Sequence, residues 1–226
     1  MTAVLAPRFF DDLWAMLNDQ PEATLMAGGT DLLVRRRAGL VNPRTIVLLE
    51  GLDALAEISL DNGELVVGSG ATHSRILNSP LIRTNAPLLA MALAKVGGPQ
   101  IRNMGTIGGN LCTASPAGDS LPALHVLGAR VELLSQNARR VMNLDEFILG
   151  PGKTALRPGE ILTRILVPPT RHFQVQHFEK VGQRKAMAIA VVSLAGLISL
   201  GPRGLIENAH LALGSVGPTI IRPVEA

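Results

Sequence analysis

Apolar and polar positions alternate along this chain in short segments, and the period changes along it. Phe9 to Leu17 carries its apolar residues on one helical face, predicting an amphipathic helix that ends near Asn18 and Pro21. Ala23 to Met26 is a short apolar run that predicts a buried strand, and Thr45 to Leu49 predicts another. Ile58 to Leu60 and Leu65 to Val67 flank Asp61-Asn62-Gly63, whose Asn-Gly step predicts a hairpin. Helical spacing recurs around Ser74 to Leu77, over Leu88 to Lys95 and over Leu121 to Leu127, with Gly97 to Gly105 read as a loop. Arg130 to Leu134 and Arg139 to Met142 form a second expected hairpin, with a short helix over Asn143 to Ile148. From Ile161 the period lengthens into strands: Ile161 to Val167, Phe173 to Val181, Ala188 to Leu200 and Leu205 to Leu213, the last pair joined tightly at Gly201-Pro202-Arg203-Gly204. The change places a boundary near Pro168-Pro169 or Thr170, with an antiparallel sheet beyond it.

Two Gly-Gly segments interrupt this pattern. Ala27-Gly28-Gly29-Thr30-Asp31-Leu32 follows a strand and leads into a helix through Arg37, whose free N–H groups Thr30 and Asp31 are expected to cap. Thr106-Ile107-Gly108-Gly109-Asn110 runs on to Thr113, Ser115-Pro116 and Asp119. Either pair alone is compatible with an ordinary turn. Glycine also lets backbone N–H groups converge on an anion, and two such segments suit a ligand with two phosphates and two sugar-like ends, a dinucleotide.

At these residues the chain resembles the FAD-binding subunit of molybdenum hydroxylases, a family that includes the medium subunit of carbon monoxide dehydrogenase and the flavin domain of xanthine dehydrogenase. The resemblance rests on Leu25 to Leu32, on Ile101 to Asn110 and on Thr113 to Asp119, and continues through Gly159-Glu160-Ile161-Leu162 and Phe178-Glu179-Lys180. It implies an α+β fold: a two-part FAD-binding domain of the vanillyl-alcohol-oxidase/PCMH type over 1–168 (parts about 1–55 and 56–168). A C-terminal α+β domain would begin at 169–226. In the family a helical stretch normally packs on that last sheet, so the chain is expected to be truncated or naturally short. The implied cofactor is FAD. Its expected contacts are Leu25, Met26, Ala27, Gly28, Gly29, Thr30, Asp31, Leu32, Val96, Thr106, Ile107, Gly108, Gly109, Asn110, Thr113, Asp119, Leu162 and Lys180. Val96 stands where relatives can carry an aromatic that stacks on the cofactor. Asp119 is expected to bond ribose or ribityl hydroxyls, or to cap the following helix. Leu162 would supply an apolar wall, and Lys180 a cation near the ring unless it is a solvated strand lysine. Ile107 is either a cover for one flavin face or a core residue. The implied partners are a small iron–sulfur subunit and a large molybdopterin subunit, with NAD or another molecule as electron acceptor.

Composition narrows the alternatives. The 226 residues are 47% hydrophobic and 17% charged, as a globular chain requires. A net charge of +3 without a basic stripe excludes nucleic acid as the expected partner. Arg35-Arg36-Arg37 reads as a solvated helix end or a docking contact. A single cysteine, Cys112, rules out an internal disulfide or iron–sulfur ligation within the chain, and it is expected to be a small buried residue. Among the five histidines only His172 and His177 have ligand-like spacing, and no metal site is expected. Without a leader or long apolar span, the expected location is cytoplasmic, with no membrane insertion. Gly150-Pro151-Gly152-Lys153-Thr154 resembles a P-loop ending but has Phe147 where the first glycine belongs. Gly68-Ser69-Gly70-Ala71 lacks the third glycine of a dinucleotide fingerprint and is read as a strand end. Two other functions compete: a stand-alone flavin reductase on the same fold, disfavoured because the chain has no tyrosine to serve as proton donor, and a non-redox scaffold without cofactor.

Overall fold

The structure is a computed structural model and describes residues 2–223. The first part is a small α/β layer. Strand β1 (Ala3–Leu5), helix α1 (Phe10–Asp19), β2 (Thr24–Met26), α2 (Leu32–Arg37) and β3 (Thr45–Leu48) follow in order, and the strands form a parallel sheet ordered β1-β3-β2. Helix α1 buries Leu13 and Trp14, as its amphipathic spacing requires, against Val47, Leu52, Leu55 and Ile161.

The second part begins with the expected hairpin of β4 (Ile58–Asp61) and β5 (Glu64–Gly68), in which Asn62 and Gly63 take φ of 50° and 85°. Helices α3 (His73–Asn78), α4 (Pro80–Asn85), α5 (Pro87–Ala94), α6 (Pro99–Met104), α7 (Ile107–Thr113) and α8 (Ser120–Val126) come next. Then follow β6 (Arg130–Leu134), β7 (Arg139–Asn143), α9 (Leu144–Phe147), and a small hairpin of β8 (Ile148–Gly150) and β9 (Lys153–Thr154). Gly150 to Thr154 is therefore a hairpin turn, with Gly152 at φ 68°. Strand β10 (Ile161–Val167) inserts between β5 and β6, giving an antiparallel sheet ordered β4-β5-β10-β6-β7.

The expected loop over Gly97 to Gly105 is a correction: α6 occupies most of it. Proline disguised this helix, as it disguised α4. Pro80 and Pro99 each stand in the first helical turn, where a missing N–H breaks no helical hydrogen bond.

The chain ends in the expected antiparallel sheet, β11 (Val175–Gly182), β12 (Ala190–Leu200) and β13 (Ile206–Gly214), in the order β11-β12-β13. Phe178, Ala195, Leu197 and Ala212 turn one face of it onto the same core that holds Leu89, Leu93 and Leu124. Among the described residues no helix is long and apolar enough to cross a membrane.

Candidate functional site

Strand β2 delivers the chain into the first glycine segment and is held there by Leu49 N–H donating to Met26 O at 2.8 Å. Gly29 has φ 68°, a left-handed conformation that a side chain would strain, and an added Cβ would also crowd Leu33 and Met26. Gly28 meets a different constraint. A Cβ there would lie 1.7 Å from the carbonyl oxygen of Met104, so the first segment can touch the end of α6 only as glycine. Among the described residues no protein acceptor takes the N–H groups of Gly28, Gly29, Thr30 or Asp31. The expected side-chain cap does not form: Asp31 occupies the N-cap of α2 in helical backbone geometry and instead reaches Arg35 at 3.8 Å. The reason is that φ −100° and ψ −54° point its carboxylate away from the first turn.

The second segment departs further from expectation. Thr106 to Asn110 is the first turn of α7, with Thr106 as a true N-cap whose Oγ1 accepts from Gly109 N–H at 3.1 Å. Ile107 N–H donates to Ala71 O at 3.0 Å, Gly108 N–H to Ser69 O at 2.8 Å and Asn110 N–H to Thr106 O at 3.0 Å. These amides are spent inside the protein, so this segment is not the second anion-binding loop that two glycines suggested. Gly108 serves packing instead: its missing Cβ would stand 2.5 Å from Ser69 Cβ. Gly109 faces outward, where an added Cβ would meet only Thr106 Oγ1 at 3.0 Å.

The two segments face each other across a cleft of ≈ 400 Å³. Leu25 through Leu32 form one wall, and Val96, Thr106, Gly109, Asn110 and Thr113 line the remainder. The Asn110 carboxamide oxygen accepts a short hydrogen bond from Ser120, which ties α7 to the start of α8. Five expected contacts do not line this cleft. Ile107 and Gly108 are buried in the core, Ile107 completely, and Leu162 lies 4% exposed in β10.

The other two, Asp119 and Lys180, form an ion pair beside the cleft. Lys180 Nζ donates to Asp119 Oδ2 at 2.6 Å and to Lys95 O at 3.1 Å, with both side chains 7–8% exposed. Lys180 is thus no solvated strand lysine. Asp119 stands at the N-cap of α8 without capping it, because its carboxylate is turned to Lys180. Its Oδ1 is buried with no partner. Burial pushes the Asp119 carboxyl above the usual range, and the Lys180 ammonium pulls it back.

Six residues that line the cleft were not among the expected contacts: Thr24, Arg35, His73, Ile101, Gly105 and Cys112. Cys112 is exposed to the cleft rather than packed in the core, a correction to the expectation, although protein crowded around it pushes the thiol up to about 12. His73 is only 3% exposed, and burial with the nearby Arg102 charge lowers its pKa to about 4. Its only signal in the sequence was its position after Thr72, which caps α3 by accepting from Arg75 N–H at 3.1 Å.

Comparison with known proteins agrees with this architecture. Residues 1–170 match a family model described as the FAD binding domain in molybdopterin dehydrogenase. The chain is 35% identical over 210 residues to the putative xanthine dehydrogenase FAD-binding subunit of Escherichia coli K12, covering 92% of this chain and 71% of that protein. It is 33% identical over 218 residues to the nicotinate dehydrogenase FAD-subunit of Eubacterium barkeri, covering 94% and 73%. Among solved structures, quinoline 2-oxidoreductase from Pseudomonas putida 86 superposes with a TM-score of 0.93 at 31% identity, over 99% of this chain and 77% of that one. Carbon monoxide dehydrogenase from Hydrogenophaga pseudoflava gives 0.92 at 28% identity, over 98% and 77%.

Proposed function

The chain belongs to the family of FAD-binding subunits of molybdenum hydroxylases, and on that premise we propose that it is the electron-transfer flavoprotein of such a complex, working between an iron–sulfur subunit and NAD or another acceptor. The observation that carries this reading is the cleft, where four backbone N–H groups without protein acceptors face a helix turn whose glycine leaves open space. Both features suit FAD. Uncommitted amides at Gly28 to Asp31 would take the pyrophosphate oxygens, and a Cβ at Gly109 would fill room the cofactor needs. The orphaned Asp119 Oδ1 fits too, since a buried carboxylate oxygen without a donor calls for hydroxyl or N–H groups from a ligand.

Bound FAD would supply the relay chemistry, accepting electrons from the iron–sulfur partner and releasing them to NAD or another acceptor. The chain's own residues bind and orient. Leu25 to Leu32 would hold the phosphates, while Thr106, Gly109, Asn110 and Thr113 shape the opposite wall. Lys180 holds Asp119 in place and puts positive charge beside the cleft, where it would favour an electron-rich ring. Val96 contributes apolar surface to the cleft, while Ile107 and Leu162 lie in the core behind it. The reading keeps the division into 1–168 and 169–226; a separate small core around Leu13, Trp14 and Leu55 supports the first sub-part ending near residue 55.

The test is reconstitution. The FAD-loaded chain, mixed anaerobically with purine, aldehyde or aromatic heterocycle substrates, should keep its flavin oxidised. Co-expression with its iron–sulfur and molybdenum subunits should yield a complex whose flavin is bleached by one of those substrates. Bleaching by the chain alone would overturn the reading in favour of a stand-alone reductase, and a chain that takes no flavin would favour a scaffold.

A further inference from the structure

One polar side chain in the cleft remains without a role. The backbone of His73 has a structural task, its N–H donating to Gly105 O at 3.0 Å where the start of α3 meets the end of α6. Any residue but proline could supply that bond. The imidazole itself makes no hydrogen bond to the protein among the described residues. It lines the cleft while only 3% exposed, and Nδ1 is buried without a partner. The ring also stands close to the first glycine segment. A Cβ placed on Gly105 would be 3.2 Å from His73 Cδ2 and 3.3 Å from Thr30 Oγ1, so ring and hydroxyl flank the same small gap.

Resting on the reading that this cleft holds FAD, we infer that His73 is a cofactor-binding residue, its imidazole hydrogen-bonding the bound dinucleotide beside Thr30. A histidine that served only to fill space would be replaced at no loss by an aliphatic side chain, because buried polar groups are retained with partners. Here the protein supplies none. Burial and the Arg102 charge hold the ring neutral at ordinary pH, so it carries one N–H and one lone pair. A buried unpaired N–H is rarer than a buried unpaired acceptor, which places the proton on Nε2 and leaves Nδ1 as the enclosed lone pair. The ring therefore offers an uncharged donor to the cleft. Such a donor adds to the amides of Gly28 to Asp31 without bringing a second cation beside Arg102.

The experiment uses the full chain, freed of flavin, with FAD itself as the probe. His73→Leu and His73→Gln are compared with the unaltered chain by fluorescence titration, and by the thermal midpoint of the flavin-free protein. The inference expects His73→Leu to weaken FAD binding by about tenfold or more while the flavin-free midpoint stays unchanged or rises, and His73→Gln to recover most of the affinity. In the unaltered chain, the imidazole nitrogen resonances should shift when FAD is added. Equal affinity in His73→Leu would overturn it. So would a loss of affinity matched by a fall in flavin-free stability that His73→Gln does not repair. If the unaltered chain takes no FAD, the functional reading fails first, and that outcome is separate from either result on the variants.

Discussion

Replacing Gly28 and Gly109 separately should split stability from cofactor binding. At Gly28 an added methyl would lie 1.7 Å from Met104 O and 2.5 Å from Met104 C, both backbone atoms. Reaching the 3.0 Å below which real Cβ contacts essentially never fall needs a displacement of at least 1.3 Å, which is 3.0 minus 1.7. No rotamer change can relieve it, so the first segment and the end of α6 must part. Overpacking of this kind costs about 1–3 kcal/mol. At ~2–4 °C per kcal/mol for a chain of this size, Gly28→Ala should lower the flavin-free thermal midpoint by about 2–12 °C. At Gly109 the neighbour is a single hydroxyl at 3.0 Å, and alanine in a helix is favoured over glycine by roughly 0.5–1 kcal/mol. Gly109→Ala should leave the flavin-free midpoint within about 2 °C of the original while weakening FAD binding by ~10-fold, and Gly109→Val should abolish binding in a folded chain. Calorimetry without flavin and fluorescence titration with FAD read the two effects apart. A stable Gly28→Ala would refute the close-approach argument. A Gly109→Val variant that binds FAD normally would remove α7 from the site.

Other outcomes follow from the same structure. Lys180→Met leaves Asp119 buried without its counter-charge and should destabilise the chain by about 3–5 kcal/mol, whereas removing both partners should cost less; a double-mutant cycle by urea denaturation checks this. His73 is neutral in the fold down to about pH 4 but titrates near its ordinary 6.5 when unfolded. Its lowered pKa means that stability is full above pH 6.5 and is lost as pH falls towards 4, by roughly 3 kcal/mol. His73→Leu should flatten that slope in urea midpoints measured across the window. The cofactor should be held without a covalent bond, so acid precipitation of the loaded chain should leave all the flavin in solution; colour on the pellet would contradict it.

The pattern of hydrophobic positions carried most of the fold because the long strands β10 to β13 and the hairpin at Asn62-Gly63 express one dominant period each. It failed where local signals pointed the wrong way. Pro80 and Pro99 read as breaks because proline cannot sit inside a helix, and a six-residue helix that it opens leaves too few turns for a helical period to show; β1 is only three residues long. At the site, the first glycine segment was legible, since a strand-to-helix turn with φ > 0 at Gly29 is a local requirement. The second was legible only as glycine. Nothing in Thr106 to Asn110 says that its amides are taken by Ala71 and Ser69, which lie more than thirty positions earlier in the chain. The Asp119–Lys180 pair, 61 residues apart, came through the resemblance, and the pairing itself needed three dimensions. His73 was silent because a single buried histidine has no pattern to announce it.

If this cleft binds a dinucleotide flavin through the uncommitted amides of Gly28 to Asp31, the pyrophosphate and adenosine end must add to the affinity. The measurement is equilibrium titration of the flavin-free chain with FAD and, in parallel, with flavin mononucleotide. One FAD should bind per chain, and the mononucleotide, which lacks the pyrophosphate and the adenosine end, should bind much more weakly. Equal affinity for the two flavins, or no binding of either, would contradict this binding mode.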